Sequence, residues 1–220
     1  VHYRHSRDEA EAVVRDAHGF GAAAVAIGAD LEKAAERHAL LKRAVEAAGA
    51  APTALVNCAA LFEHDTIDTV TEALLQRHIA LNTFAPAVLS REFAEALPEG
   101  ARGAIVNFLD FKLASPYPDH FSHTLSKYAL AGATELLARA LAPRVRVNAV
   151  APGYVLPAPG QSASDFQRLH DDTPLKSGPT PENVAHAVRF LLENDAITGQ
   201  TVYVDSGRRF ETHERDMAFM

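Results

Sequence analysis

Tryptophan is absent from the 220 residues, methionine occurs twice and cysteine once. The single cysteine, Cys58, excludes an internal disulfide framework and suits a reducing cytoplasm. Positive charge is in short supply: 21 Lys and Arg face 28 Asp and Glu, a net charge of −7. That balance argues against a polyanionic partner such as nucleic acid. No apolar run approaches the roughly 20 residues of a membrane-spanning helix, so no membrane partner is expected. The opening "VHYRHSRDEA" lacks the apolar centre of a signal peptide. No internal repeat and no shift in composition marks a second domain. What is present is a chain 48% hydrophobic and 22% charged, the balance of one globular domain that buries roughly 70% of its unfolded surface.

The apolar residues fall into two alternating patterns. Short continuous runs, "VHYR", "AAAVAIG", "PTALVNCAAL", "GAIVNFLD", "VRVNAVAPG" and "QTVYVDSG", read as buried strands. Between them lie helical stretches: 7–19, closed by Gly19; 30–49, with Asp30 near its start and Gly49 at its end; two across 67–97; an Ala/Leu helix over 119–142; and 181–195, with Pro181 in its first turn. Residues 156–180 are rich in Pro, Gly and Ser and read as a loop with one short helix. Strands alternating with helices predict an α/β fold with a parallel sheet covered on both faces.

Seven spaced features give this pattern a family likeness. They are "GADL" after the second strand, "LVNCAA", "LNTFAPA", "IVNFLD", "SHTLSK", "NAVAPG" and "TGQTVYVDSG". In this order the chain resembles the short-chain dehydrogenase/reductase family over essentially its whole length. The resemblance implies a Rossmann-like, doubly wound parallel sheet in three αβα layers, with ligands outside the carboxyl ends of the strands. It implies a homodimer or homotetramer built through the helices at 68–97 and 119–142, with the tail "RRFETHERDMAF" reaching a neighbouring subunit.

A closer likeness, to pteridine reductases, rests on "HYRHS", "LVNCAALF", "TPLKSGPTPE" and Asp110, thirteen residues before position 123. It implies that Asp110 serves proton delivery and that Phe62 stacks on a pterin; the other reading of Phe62 is core packing. By the same resemblance, Asp30 contacts adenine, Asn57 holds a strand end beside the cofactor, and Pro152 and Gly153 end a strand beside the nicotinamide. Lys127 would bind the nicotinamide ribose and, with Asn82, hold a relay water. No acid ends "VHYR" to accept the ribose hydroxyls of NAD; Arg4, His5 and Ser6 offer a cation and a hydroxyl to the 2′-phosphate of NADP(H). The other reading of Arg4 is a solvated charge.

Two departures stand out. The family opens with a strand, a glycine-rich turn and a helix, whereas "VHYR" matches the second strand. The expectation is an N-terminal βα unit of roughly 20–25 residues missing ahead of Val1; the rival is a truncated fold in which another segment fills the gap. No glycine here can be assigned to the phosphate loop. Second, His123 stands where the family has its catalytic Tyr, one helical turn before Lys127. An imidazole, whose reference value is near 6.5, donates a proton when charged; Lys127 disfavours that charge and Asp110 favours it. Tyr154 is the candidate to replace the phenol, its other reading being a lining residue of the substrate loop. Tyr128 points about 100° away around the helix, and Tyr117 precedes it. His38, His64, His78, His120, His170 and His186 read as surface or packing residues, with no metal-ligand spacing.

The implied function is NADPH-dependent reduction of a pterin-like or other small carbonyl or imine substrate. A same-fold alternative is a 3-oxoacyl or sugar reductase. The alternative from another class is a catalytically dead, NADP-binding pseudoenzyme or scaffold subunit.

Overall fold

The computed structural model describes residues 1–157, 160–212 and 214–216. Strand β1 (His2–Tyr3) leads into helix α1 (Arg7–Gly19), whose first turn carries Asp8 and Glu9, acids suited to the positive end of the helix dipole. Strand β2 (Ile27–Gly28) precedes α2 (Ala34–Ala48), which stops at Gly49, with φ at 69°. A left-handed residue there ends the helix, and glycine adopts it without steric cost. Then follow β3 (Ala54–Asn57), α3 (Glu72–Ile79), a π-helical segment (Ala80–Phe84) and α4 (Ala85–Ala96). Strand β4 (Gly103–Phe108), α5 (Phe121–Leu141), β5 (Val145–Pro152), α6 (Ala163–Asp171), α7 (Pro181–Glu193) and β6 (Thr201–Val204) complete the order.

Every strand pairing is parallel, with β1 beside β2 and β3–β4–β5–β6 forming a four-stranded sheet. Successive residues of β4 serve opposite faces. Ile105 joins Phe93 and Leu97 from α4, Ala138 from α5 and Leu41 from α2 on one side. Val106 and Val150 meet Val184 and Leu191 of α7 on the other. Each fully buried aliphatic side chain of this kind stabilises by roughly 1.5–3 kcal/mol. The three layers expected from the sequence are therefore present, and the fold is Rossmann-like. Gly103 sets how closely α4 approaches: a Cβ there would lie 2.8 Å from the Phe93 ring.

The second strand is shorter than "AAAVAIG" suggested. A strand extends only as far as its partner, and β1 offers Val1 to Tyr3; the bonds run from Ile27 to Val1 and from Ala29 to Tyr3. Between the end of β1 and the chain leaving β3 lies a cavity of about 500 Å³. It sits where the resemblance places a further strand. The tail also differs from expectation. Arg208 is fully buried and bonded to Asp172 and Glu211, and residues 214–216 fold back on their own chain. Of the stretch expected to reach a neighbour, residues 213 and 217–219 lie outside the described residues. No helix among the described residues is long and apolar enough to cross a membrane.

Candidate active site

Parallel strands end on the same side, so β3, β4, β5 and β6 deliver their following residues to one edge. A cavity of about 1190 Å³ opens there, lined by Cys58 and Phe62 after β3, Asp110 and Lys112 after β4, and Pro152, Gly153 and Tyr154 after β5. His120 and His123, from the start of α5, close its floor. Gly153 fits because a Cβ would sit 3.0 Å from the Asp205 backbone. Behind the floor, Asn57 donates to Asn107 (2.8 Å), which donates to Thr134 (2.9 Å), a buried amide ladder linking β3, β4 and α5. Asn107 and Thr134 were not singled out in the sequence, since neither pattern distinguishes a buried amide from a surface one.

His123 is 4% exposed, and its two ring nitrogens face acceptors. Nδ1 lies 2.9 Å from the Leu61 carbonyl, and Nε2 lies 3.3 Å from Asp110 Oδ2. Asn82 Nδ2 is also near Nδ1, at 3.4 Å, but it has shorter bonds to the Leu61 carbonyl (3.0 Å) and Ser126 Oγ (2.9 Å) for its two hydrogens. Both His123 contacts are hydrogen bonds only when the ring carries two protons. Burial opposes ionisation of Asp110, but the hydrogen bond and charge of His123, with help from Lys112, hold its carboxyl below the usual range. Asp110 also caps the 3-10 turn Phe111–Leu113 through the Lys112 amide. The arrangement sets an imidazole and a carboxyl group side by side at the edge of the cavity.

Lys127 lies one turn further on, 4% exposed, its Nζ donating to the Phe108 carbonyl at 2.7 Å. Burial pushes its ammonium down to about 8, against the pull of Asp110 and Cys58. A lysine whose folded value is depressed is a stability cost below that value. Between pH 8 and 10.5 the unfolded chain binds the extra proton, so stability rises with pH across that window. The expected result is a gain of about 2 kcal/mol in native protein relative to Lys127→Met, read from urea unfolding at pH 7.5 and 10. Asn82 lies in the π-helical segment, a distortion common at functional sites. It clamps Leu61 through both backbone groups, which fixes the loop carrying Phe62 beside His123.

The phenol candidates are engaged elsewhere. Tyr154 donates to Asp216 (2.8 Å), and its hydroxyl lies 2.9 Å from that of Tyr117; burial above all, then the Asp216 charge, pushes its pKa up and makes the phenol a weaker acid. Tyr128 bonds the Leu113 carbonyl and is 42% exposed. Phe62 is no core residue: it is 47% exposed, stacks on His120 at 4.2 Å and meets His123 edge-on at 4.7 Å. The histidines read as scattered are in part gathered. His64, His78 and His120 surround Phe62 and His123, and His120 has φ at 58°. Burial, with Lys112 beside it, pushes His120 down to about 4. Among the described residues no group of His, Cys, Asp and Glu is arranged to hold a metal.

Three further residues of the cavity escaped sequence reasoning: Lys112, His120 and Asp216. Lys112 Nζ bonds Asp216 at 2.8 Å, with both side chains 3% exposed. The tail is held by Asp119, which accepts from Arg215 (3.1 Å) and the Asp216 amide (2.8 Å). Burial opposes the charge of Asp119, but these bonds and His64 hold it at about 2. The pairing spans 104 residues, a separation that no local pattern signals.

On the smaller cavity, Arg4, His5 and Ser6 line one wall, with Leu31 and Leu61 opposite. Arg4 bonds Glu32 (2.8 Å) and Asp30 (3.2 Å) and remains 37% exposed on its side chain. The Ser6 hydroxyl makes no capping bond at the start of α1. Arg4, His5 and Ser6 are the residues that the resemblance assigns to the 2′-phosphate of NADP(H).

A family model described as enoyl-(acyl carrier protein) reductase matches residues 1–209. The chain belongs to the short-chain dehydrogenase/reductase family. Among solved members, FolM alternative dihydrofolate reductase 1 from Brucella suis, crystallised with NADP, superposes with a TM-score of 0.91 at 38% identity, covering 96% of this chain and 84% of that one. The 3-oxoacyl-[acyl-carrier-protein] reductase of Staphylococcus epidermidis is 30% identical over 212 residues, 94% of this chain and 86% of its own. The dihydromonapterin reductase of Klebsiella pneumoniae is 30% identical over 145 residues, 64% of this chain and 58% of its own.

Proposed function

We propose that the chain is an NADP-dependent short-chain reductase acting on a pterin-like substrate, with a C=N or C=O bond as the reduced group. The observation that carries this reading is the His123–Asp110 pair, an imidazole and a carboxyl 3.3 Å apart at the cavity that also holds Phe62 and Tyr154. The cofactor, when bound, supplies the hydride. The protein's part is to place the substrate on Phe62 and to give up the Nε2 proton of His123 to the atom that gains electron density. At 3.3 Å the contact from Nε2 to Asp110 is long, so the carboxyl orients the ring without holding its proton tightly. Lys127 holds the end of β4 through Phe108 and would meet the nicotinamide ribose. A working donor with its own carboxylate speaks against the pseudoenzyme reading. Similarity to a dihydrofolate reductase and a dihydromonapterin reductase supports the pterin reading over the 3-oxoacyl and sugar alternatives.

The test follows NADPH oxidation with 7,8-dihydropterins, quinones, simple ketones and a 3-oxoacyl thioester. Turnover is expected to favour the dihydropterins; no substrate-dependent oxidation with any of them overturns the enzyme reading. Cofactor choice is tested separately at Arg4. Because Asp30 and Glu32 already offset much of its charge, Arg4→Gln is expected to weaken NADPH binding by about tenfold, the lower end for a charge-assisted hydrogen bond, while NADH binding changes by less than about threefold. Cofactor fluorescence reads both. Equal losses for the two cofactors would remove Arg4 from the 2′-phosphate site.

A further inference from the structure

Lys112 enters the proton donation above only through its charge and amide beside Asp110, yet it is a fully buried cation bordering the cavity. Its ammonium has one acceptor, Asp216, at 2.8 Å. The rest of its surroundings is aromatic: Nζ lies 4.4 Å from the centre of the Tyr117 ring and 5.9 Å from that of Phe62. An ammonium has three N–H donors, and ring faces stabilise charge without using them as an oxygen does. Burying such a group costs several kcal/mol unless it is well paired; Asp216 pairs its charge, and two of its N–H donors have no acceptor among the described residues. Phe62 exposes ring surface to the cavity and reaches His123 on its edge. A flat substrate on Phe62 therefore has the proton donor beside one part of it and Lys112 beside another.

We propose that Lys112 is a specificity residue that donates to a ring carbonyl of the substrate, selecting a 4-oxo over a 4-amino pteridine. Asp216 is its positioning residue: it orients the ammonium from the returning tail, where Tyr154 and Asp119 hold it in turn. The chemistry is direct. A cationic donor is complementary to a carbonyl oxygen, whereas an exocyclic amine in the same place presents hydrogens and repels it. The inference rests on the pteridine reading of the site and adds which edge of the ring the protein reads.

The experiment is equilibrium binding of a fluorescent 4-oxopteridine, biopterin, and of a 2,4-diaminopteridine, with oxidised NADP present. The chain contains no Trp, so pterin emission is read without tryptophan background. Native protein is expected to prefer the 4-oxo ligand by at least about tenfold, the range for a hydrogen bond to a charged group. Lys112→Met should lose that preference, and Asp216→Asn should reduce it. Because Lys112→Met removes the cation beside the buried Asp216 carboxylate, Lys112→Met with Asp216→Asn is the companion variant, which removes both charges together. A folded variant, shown by retained NADPH binding, that keeps the native preference overturns the inference while the pteridine reading stands. Native protein that binds NADPH but neither pteridine overturns both.

Discussion

Replacing His123 by Phe is expected to lower kcat by about 10²–10⁴-fold, the range for loss of a general acid, with KM changed by less than about threefold. The ring volume is kept, so the packing against Phe62 and His78 survives while both donors vanish. Rates of NADPH oxidation with the best dihydropterin give the answer. The variant has a second signature. Without the imidazolium, burial of Asp110 is opposed only by Lys112 and its backbone amide, so its carboxyl titrates higher, which the carboxyl infrared band reports. The sign for stability follows. A depressed carboxyl adds stability above its unfolded value near 3.9 and loses it as pH falls through the folded value; that contribution shrinks in His123→Phe. His123→Tyr tests adaptation: a native chain faster than this variant shows a site built for the imidazole. A variant that alone turns over shows that the native chain is not a working reductase of this kind.

Asp110→Asn is expected to lower kcat by about 10²-fold. Asparagine can still cap the 3-10 turn, so the local backbone is retained, but the carboxylate beside His123 Nε2 is gone. The decisive measurement is the double variant. If the two residues form one donor, His123→Phe with Asp110→Asn is no slower than His123→Phe alone, within about threefold, because members of a unit are not additive. If Asp110 delivers the proton independently, as the pteridine-reductase likeness alone implied, the second substitution lowers the rate again by a similar factor.

What the sequence disclosed and what it withheld divide by range. The run "RDEAEAVVRDAHG" matches α1 at both ends, because periodicity and end residues are local. Asp110, Phe62 and Tyr154 come together because each follows a strand end and parallel strands end together, and α5 brings His123 beside them. Asn82 was singled out, but its grip on Leu61 and Ser126 was not foreseen. Lys112 and Asp216 were not found, since a cation and an acid so far apart look like two surface charges. His120 was dismissed because a buried, neutral histidine in a left-handed residue has no mark in the chain. "AAAVAIG" was read too long for the opposite reason: its composition speaks of burial, whereas its extent is set by the partner strand.

The amide ladder behind the cavity has one more effect. Asn57 and Asn107 are register partners on β3 and β4, and a one-residue slip between these strands would turn one amide to the opposite face. Each would then be a buried polar group without its mate, at a cost of about 1–3 kcal/mol. The pair thus works as a spacer gauge across the cavity mouth. It sets Phe62, five residues past Asn57, at a fixed offset from Asp110, three past Asn107, before either meets a substrate.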